Sequence, residues 1–254
     1  MKTGKMLKAS LISNSKNYLN NRIFIKNENQ IFFNLLKKKF NNYNIDLSTE
    51  DINEPNDSQI NIYFDIPKQT FSNNSFKILI ALESLAVIPK NASKKLLSNF
   101  DLVFTWNKDL IDFKKIFFLN YSSDLNFIVI GKDFDDRKLI CNISSNKFSS
   151  HKNELYTQRS SVLRKLNDYG VDIHLYGFDW DRIPNRSTFF KVYLKSMRNK
   201  YLNKIFRTFI KVLPESFFYK FKYYEGPTTQ KIITMGNYKF ALCFENVFNE
   251  NGYV

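Results

Sequence analysis

A chain of 254 residues with 43% hydrophobic and 24% charged residues has the size and composition of a globular protein with one large or two medium domains. Composition and run lengths exclude a membrane-spanning helix, since no apolar run approaches the ~20 residues needed to cross a bilayer, and Met1 to Ser10 lacks the apolar centre of a secretory signal. The net charge is +14, and nine of those charges come from one stretch, Arg186 to Lys222, which holds ten Lys/Arg against a single acid, Glu215.

A cytoplasmic protein is the expectation. Cys141 and Cys243, the two cysteines, fall in predicted core strands and read as buried free thiols of a reducing compartment. Phe, Lys, Asn and Ile are abundant and glycine is scarce, a bias of the kind AT-rich codons impose. Isolated Lys and Asn residues therefore carry little weight.

In chain order, Met6 to Ser13 reads as a first strand. Asn29 to Phe40 places Ile31, Phe32, Leu35, Leu36 and Phe40 at helical spacing, with Lys37 to Lys39 at the end that favours cations. Gln59 to Ile66 alternates and stops at Pro67, as a strand does. Phe76 to Leu82 is a further apolar strand and is followed by Glu83, either a site carboxylate or a cap. Ala92 to Asn99 predicts a short helix and Asp101 to Trp106 a strand. Strands alternating with crossovers imply a parallel sheet covered on both faces.

Gly131 to Lys138 is polar between two apolar runs and is predicted to be the linker, giving domains 1–135 and 136–254. Its Asp133-Phe134-Asp135, and later Asp179-Trp180-Asp181, match a metal-diphosphate pattern of three residues. Both are assigned to solvated linkers, so no metal site is expected.

Leu139 to Ile143 then predicts a strand. A helix capped by Ser149 or Ser150 runs to about Tyr169 and closes at Gly170, and Val171 to Tyr176 comes next as a strand, completing a βαβ unit. Arg159 lies four residues after Leu155 and three before Val162, so it shares the apolar face with Leu163 and Leu166. An arginine there needs an anion, an acidic partner or an exit to solvent. His174 falls in a strand and reads as core, and His151 has no partner at ligand spacing.

Phe189 to Leu213 predicts a long amphipathic helix. Phe190, Leu194, Met197, Tyr201, Ile205, Phe209 and Leu213 form its stripe, six Lys/Arg flank it, and Pro214 stops it. Such a helix suits an anionic membrane surface or simple packing on its own domain, and nucleic acid less well. Helix Thr228 to Asn237 then feeds a predicted buried strand, Lys239 to Phe244. That strand ends abruptly in Glu245 and Asn246, and open α/β sheets bind ligands at such strand ends.

This last stretch resembles the donor signature of family 10 glycosyltransferases, the α-1,3/1,4-fucosyltransferases. The matching residues are Tyr238-Lys239-Phe240, Phe244-Glu245-Asn246 and Gly252-Tyr253-Val254. Two further patches are similar in the right order: Glu154-Leu155-Tyr156-Thr157-Gln158-Arg159, and Asp172 to Trp180, where Phe178-Asp179 replaces the family's small residue. Tyr224-Glu225-Gly226 with Lys231 resembles the segment leading into the signature. The Thr-Glu-Lys that closes the family's pattern does not come after Val254, so the resemblance implies an enzyme truncated in its C-terminal domain, weakly stable or inactive.

The resemblance implies a GT-B architecture, two Rossmann-like domains facing across a cleft, with the acceptor on the first and the nucleotide sugar on the second. It implies transfer of fucose from GDP-fucose to a hydroxyl of an acceptor glycan, with inversion and without a metal, as in the synthesis of lipopolysaccharide or another surface glycan. Glu83 is then the candidate base. Arg159 would neutralise the diphosphate, and Glu245, Asn246 and Tyr253 would orient the donor. The competing reading is a basic protein that binds a membrane surface or nucleic acid without catalysis.

Overall fold

The structure is a computed structural model, and it describes residues 6–25, 31–68, 74–120, 132–147, 149, 151–181 and 219–248. The chain divides into two compact units, one formed by Met1–Phe127 with Asn249–Val254, the other by Ile128–Phe248. It is an α/β protein whose sheets are parallel throughout.

In the first unit, β1 (Leu7–Ser13), β2 (Ile45–Thr49), β3 (Ile60–Phe64), β4 (Phe76–Ala81), β5 (Leu102–Thr105) and β6 (Ile116–Phe118) form one sheet. Its order is β2-β1-β3-β4-β5-β6, and every neighbouring pair runs parallel. Strand alternation splits the core in two. Leu11, Ile62 and Ile80 pack with Phe33 of helix α1 (Ile31–Asn42). Their neighbours Ile12, Tyr63 and Leu79 pack with Leu97 of α2 (Lys94–Leu97) and with Phe100. Successive residues of one strand thus feed opposite faces, which is why these strands read as nearly continuous apolar runs.

In the second unit, β7 (Lys138–Ile143), β8 (Ile173–Tyr176), β9 (Tyr223–Gly226) and β10 (Tyr238–Ala241) form a sheet of order β10-β7-β8-β9, again parallel. Helix α3 (Tyr156–Asp168) covers one face, and α4 (Lys231–Met235) precedes β10. Leu163 of α3, Ile173 and Leu175 of β8, Trp180 and Phe221 make the core of this unit. Gly170, at φ +74°, ends α3 with its amide on the Asn167 carbonyl at 3.1 Å, and the Val171 amide reaches back to Leu166 at 3.0 Å.

Several sequence expectations are corrected here. Strands β2, β6 and β9 were not foreseen. Lys138, placed in the linker, is the first residue of β7. Helix α3 begins at Tyr156, not near Ser149: the Glu154 carboxylate accepts the Thr157 amide at 3.0 Å, while Glu154 itself bridges antiparallel to Val247 and holds the preceding chain extended. Val162, placed on the buried face, is exposed, and the face that α3 buries is Tyr156, Arg159, Ser160 and Leu163.

The buried strand predicted over Lys239 to Phe244 ends at Ala241, and its Phe240 is exposed. Cys243, predicted to be core, is exposed beyond that strand, whereas Cys141 is buried and its thiol is pushed up to about 11, chiefly by desolvation. In Asp179-Trp180-Asp181 the two acids are solvent-exposed, as a solvated segment requires, but the residue between them is not. Trp180 is fully buried, lies edge-on to Phe221 at 5.4 Å between ring centres, and donates from Nε1 to the Ser144 carbonyl at 2.5 Å.

Candidate functional site

Both sheets have a point where the chain crosses from one side of its starting strand to the other, and parallel sheets bind ligands beyond the C-terminal strand ends at such points. In the second unit β7 lies between β10 and β8. A pocket of about 430 Å³ opens there, lined by the segments just past all four strands: Ser144 and Ser145 after β7, Gly177 and Phe178 after β8, Pro227 and Thr228 after β9, Phe244 and Asn246 after β10.

The pocket's charge is positive, with Arg159, Lys147 and Lys231 all in its wall. Arg159 is only 4% exposed. One terminal nitrogen donates to the Ser145 carbonyl at 2.8 Å, its Nε has no partner among the described residues, and its guanidinium lies 5.0 Å from the centre of the Tyr156 ring. Among the described residues no carboxylate comes within ion-pair distance of it. Burial pushes its pKa down, with Tyr156 and Glu154 opposing. A buried guanidinium in the wall of a concave polar site, with no acidic partner among the described residues, has the chemistry to pair with an anion.

Asn246 is fixed where β10 gives way to the loop. Its carbonyl accepts the Leu155 amide at 3.2 Å, and the Phe248 amide reaches the Asn153 carbonyl at 2.7 Å. Arg159 and Asn246, both predicted, therefore share one pocket. Glu245 is exposed and does not line it, and Tyr253 lies outside the described residues, as does the stretch 189–213 for which a basic helix is predicted. Lys147 was missed by sequence reasoning.

Gly177 is what lets the wall close. At φ +125° a Cβ on it would stand 2.2 Å from the Ser144 carbonyl oxygen, so the β8 turn can approach the β7 turn only without a side chain. Gly177→Ala is expected to cost about 3 kcal/mol or more, since strain and a backbone clash coincide. A urea melt of the variant that overlays wild type would refute this.

On β8, His174 alternates with the core residues Ile173 and Leu175. It is buried, its Nδ1 lies 2.5 Å from Glu225 Oε1, and its ring stacks on Tyr223 with centres 4.5 Å apart. Tyr176 and Tyr238 share a hydrogen bond of 2.8 Å beside it, and both phenols are pushed up, mainly by burial. This cluster gives the β8–β9–β10 face a polar, aromatic interior.

In the first unit β1 lies between β2 and β3, and the strand ends there carry carboxylates. Asp65, just past β3, is 6% exposed and in the left-handed region at φ +61°. Its Oδ1 accepts the Leu82 and Glu83 amides, each at 2.8 Å, and Asn91 Nδ2 at 2.9 Å. Asn91 also donates to the Glu83 carbonyl at 3.1 Å and accepts the Ile66 amide at 3.1 Å. The backbone of Glu83 is thereby pinned, while its half-buried carboxylate accepts, among the described residues, only the next amide, Ser84, at 3.1 Å. Burial first, then Asp65 and Glu83, push the Tyr18 phenol up.

Desolvation holds the Asp65 pKa above its ordinary 3.8, against three hydrogen bonds that lower it. The folded state thus binds the proton more tightly than the unfolded state, so this stability is present at low pH and lost as pH rises through the raised pKa. Asp65→Asn is expected to remove that fall from a stability-versus-pH curve. An unchanged slope in the variant would show that Asp65 is not its source.

Compared with family models, with curated proteins and with solved structures, the chain matches none. Among the described residues there is also no group of three or more His, Cys, Asp or Glu that could hold a metal ion.

Proposed function

We propose that this chain is an inverting glycosyltransferase of the GT-B type that transfers fucose from GDP-fucose to a hydroxyl of an acceptor glycan. The observation that carries the proposal is Arg159, a buried guanidinium without an acidic partner among the described residues, in a cationic pocket at the strand-crossing point of the second sheet. A diphosphate supplies the missing partner. Its charge grows as the sugar leaves, so Arg159 with Lys147 and Lys231 would stabilise the departing GDP. Asn246 would orient the donor through its amide.

The reaction also needs a base on the acceptor hydroxyl, because inversion in one displacement builds positive charge on the attacking oxygen. Glu83 takes that role in the proposal. Its backbone is held by Asp65 and Asn91, and among the described residues its carboxylate accepts the Ser84 amide alone. Guanine specificity and fucose as the sugar come from the resemblance of the 154–159, 172–180 and 238–254 segments to family 10 enzymes.

No helix among the described residues is long and apolar enough to cross a membrane. We propose peripheral attachment to an anionic membrane surface through the basic stretch 189–213, where a lipid-linked or surface glycan acceptor would be met. The test of the function is displacement of a fluorescent GDP analogue by unlabelled donors. GDP-fucose is expected to displace it and UDP-glucose to fail. Displacement by every nucleotide sugar alike, or by none, would overturn the assignment.

A further inference from the structure

The pocket has one wall that its charges do not explain. Phe178 lines it yet is 62% exposed, while Trp180, two residues on, is fully buried in the core of the unit. A large aromatic side chain left in water forgoes about 2 kcal/mol of burial, and this one, unlike a ring on an open surface, stands in the wall of a concave cationic site where a planar group could cover it.

The backbone around that ring is held unusually firmly. The Phe178 carbonyl accepts the Asn146 amide at 2.9 Å, Asn146 Nδ2 donates to the Asp179 carbonyl at 3.0 Å, and the Tyr224 hydroxyl donates to the Gly177 carbonyl at 2.8 Å. On either side the chain takes left-handed values, φ +125° at Gly177 and +68° at Asp179. Asp179 is not a glycine, and backbone strain of this kind persists where the surroundings enforce it, most often at ligand contacts. Three hydrogen bonds to consecutive carbonyls therefore fix the backbone that carries this exposed ring at the pocket's edge.

We propose that Phe178 is a stacking platform for the planar base of a nucleoside diphosphate whose phosphates lie against Arg159. The proposal rests on the donor-site reading and adds the group that makes the pocket prefer a nucleotide to a bare diphosphate. The π face of phenylalanine accepts any base; a rigid ring loses little entropy when a ligand covers it. In the pattern that Asp172 to Trp180 resembles, the position of Phe178 is variable and the small residue stands where this chain has Asp179, so the resemblance itself supplies no platform.

The test is calorimetric titration of GDP and, separately, of inorganic pyrophosphate into the full chain and its Phe178→Ala and Phe178→Trp variants. Wild type is expected to bind GDP more tightly than pyrophosphate. Phe178→Ala is expected to weaken GDP by about 5- to 150-fold, the range that loss of one base–aromatic stack covers, and to leave pyrophosphate unchanged. Phe178→Trp restores GDP binding. Equal weakening of both ligands in Phe178→Ala would mean that the ring only shapes the pocket, and no weakening would mean that it touches nothing; either overturns the proposal. Wild type binding pyrophosphate as tightly as GDP overturns stacking alone and leaves the anion site standing. Wild type binding neither overturns the donor-site reading as well.

Discussion

Arg159→Met is expected to lower GDP affinity about 100-fold while leaving the melting temperature unchanged or raised. Charge-assisted hydrogen bonds to phosphate contribute about 1.5–3 kcal/mol each net, and each 1.4 kcal/mol is about tenfold in affinity. Methionine keeps the volume beside Tyr156 and removes the charge. In the free protein that charge is desolvated, has one hydrogen bond to Ser145 and an idle Nε, and faces no carboxylate among the described residues. Replacing a poorly compensated buried ion with an apolar side chain of similar size is neutral or stabilising. A residue that weakens the apo fold and strengthens the complex is the signature of a ligand site, as opposed to a structural one. Calorimetry and a thermal melt on the same variant separate the two cases: a lower melting temperature with GDP affinity intact would assign Arg159 to the scaffold.

The second large effect is at Glu83. Glu83→Gln is expected to reduce transfer by about 10²- to 10⁴-fold, the contribution of a positioned general base, with GDP affinity unaltered. Glutamine preserves shape and the contact with the Ser84 amide, and the Asp65–Asn91 network holds the backbone in both proteins. Transfer is read as GDP release with a mixed oligosaccharide acceptor, over long incubations with excess protein so that slow turnover counts. Transfer at the wild-type rate would remove Glu83 from the chemistry.

How far this fold is legible in the sequence depends on the strength of the local signals. β3, β4 and β5 are apolar runs with clear edges such as Pro67, and α1 has its stripe at helical spacing. β2 is Ile-Asp-Leu-Ser-Thr, β6 is three residues and β9 is Tyr-Tyr-Glu-Gly. None is apolar enough to stand out alone, and each exists because a neighbouring strand offers it a parallel partner. β10 was overextended because Leu242 and Phe244 are apolar. They pack against the core from the loop beyond the strand, not from within it.

The site divides in the same way. Arg159 could be placed on the buried face of its helix from spacing to Leu163 alone, although Val162 was a wrong guide. Asn246 could be found at a strand end, but its neighbour Glu245 could not be separated from it. The chain leaves strand geometry at Ala241, so alternation no longer says which side chain turns toward the pocket. Lys147 was invisible among so many lysines. The close approach of Gly177 to Ser144, and the exposed ring beside it, are non-local facts that no pattern of spacing contains.

The central claim is that the second unit's pocket holds a diphosphate against Arg159. Crystals of the chain grown with GDP test it most directly. Phosphate density is expected within hydrogen-bonding distance of the Arg159 guanidinium, in the pocket walled by Ser145, Gly177 and Asn246. GDP bound elsewhere, with Arg159 still bonded only to Ser145, would contradict it.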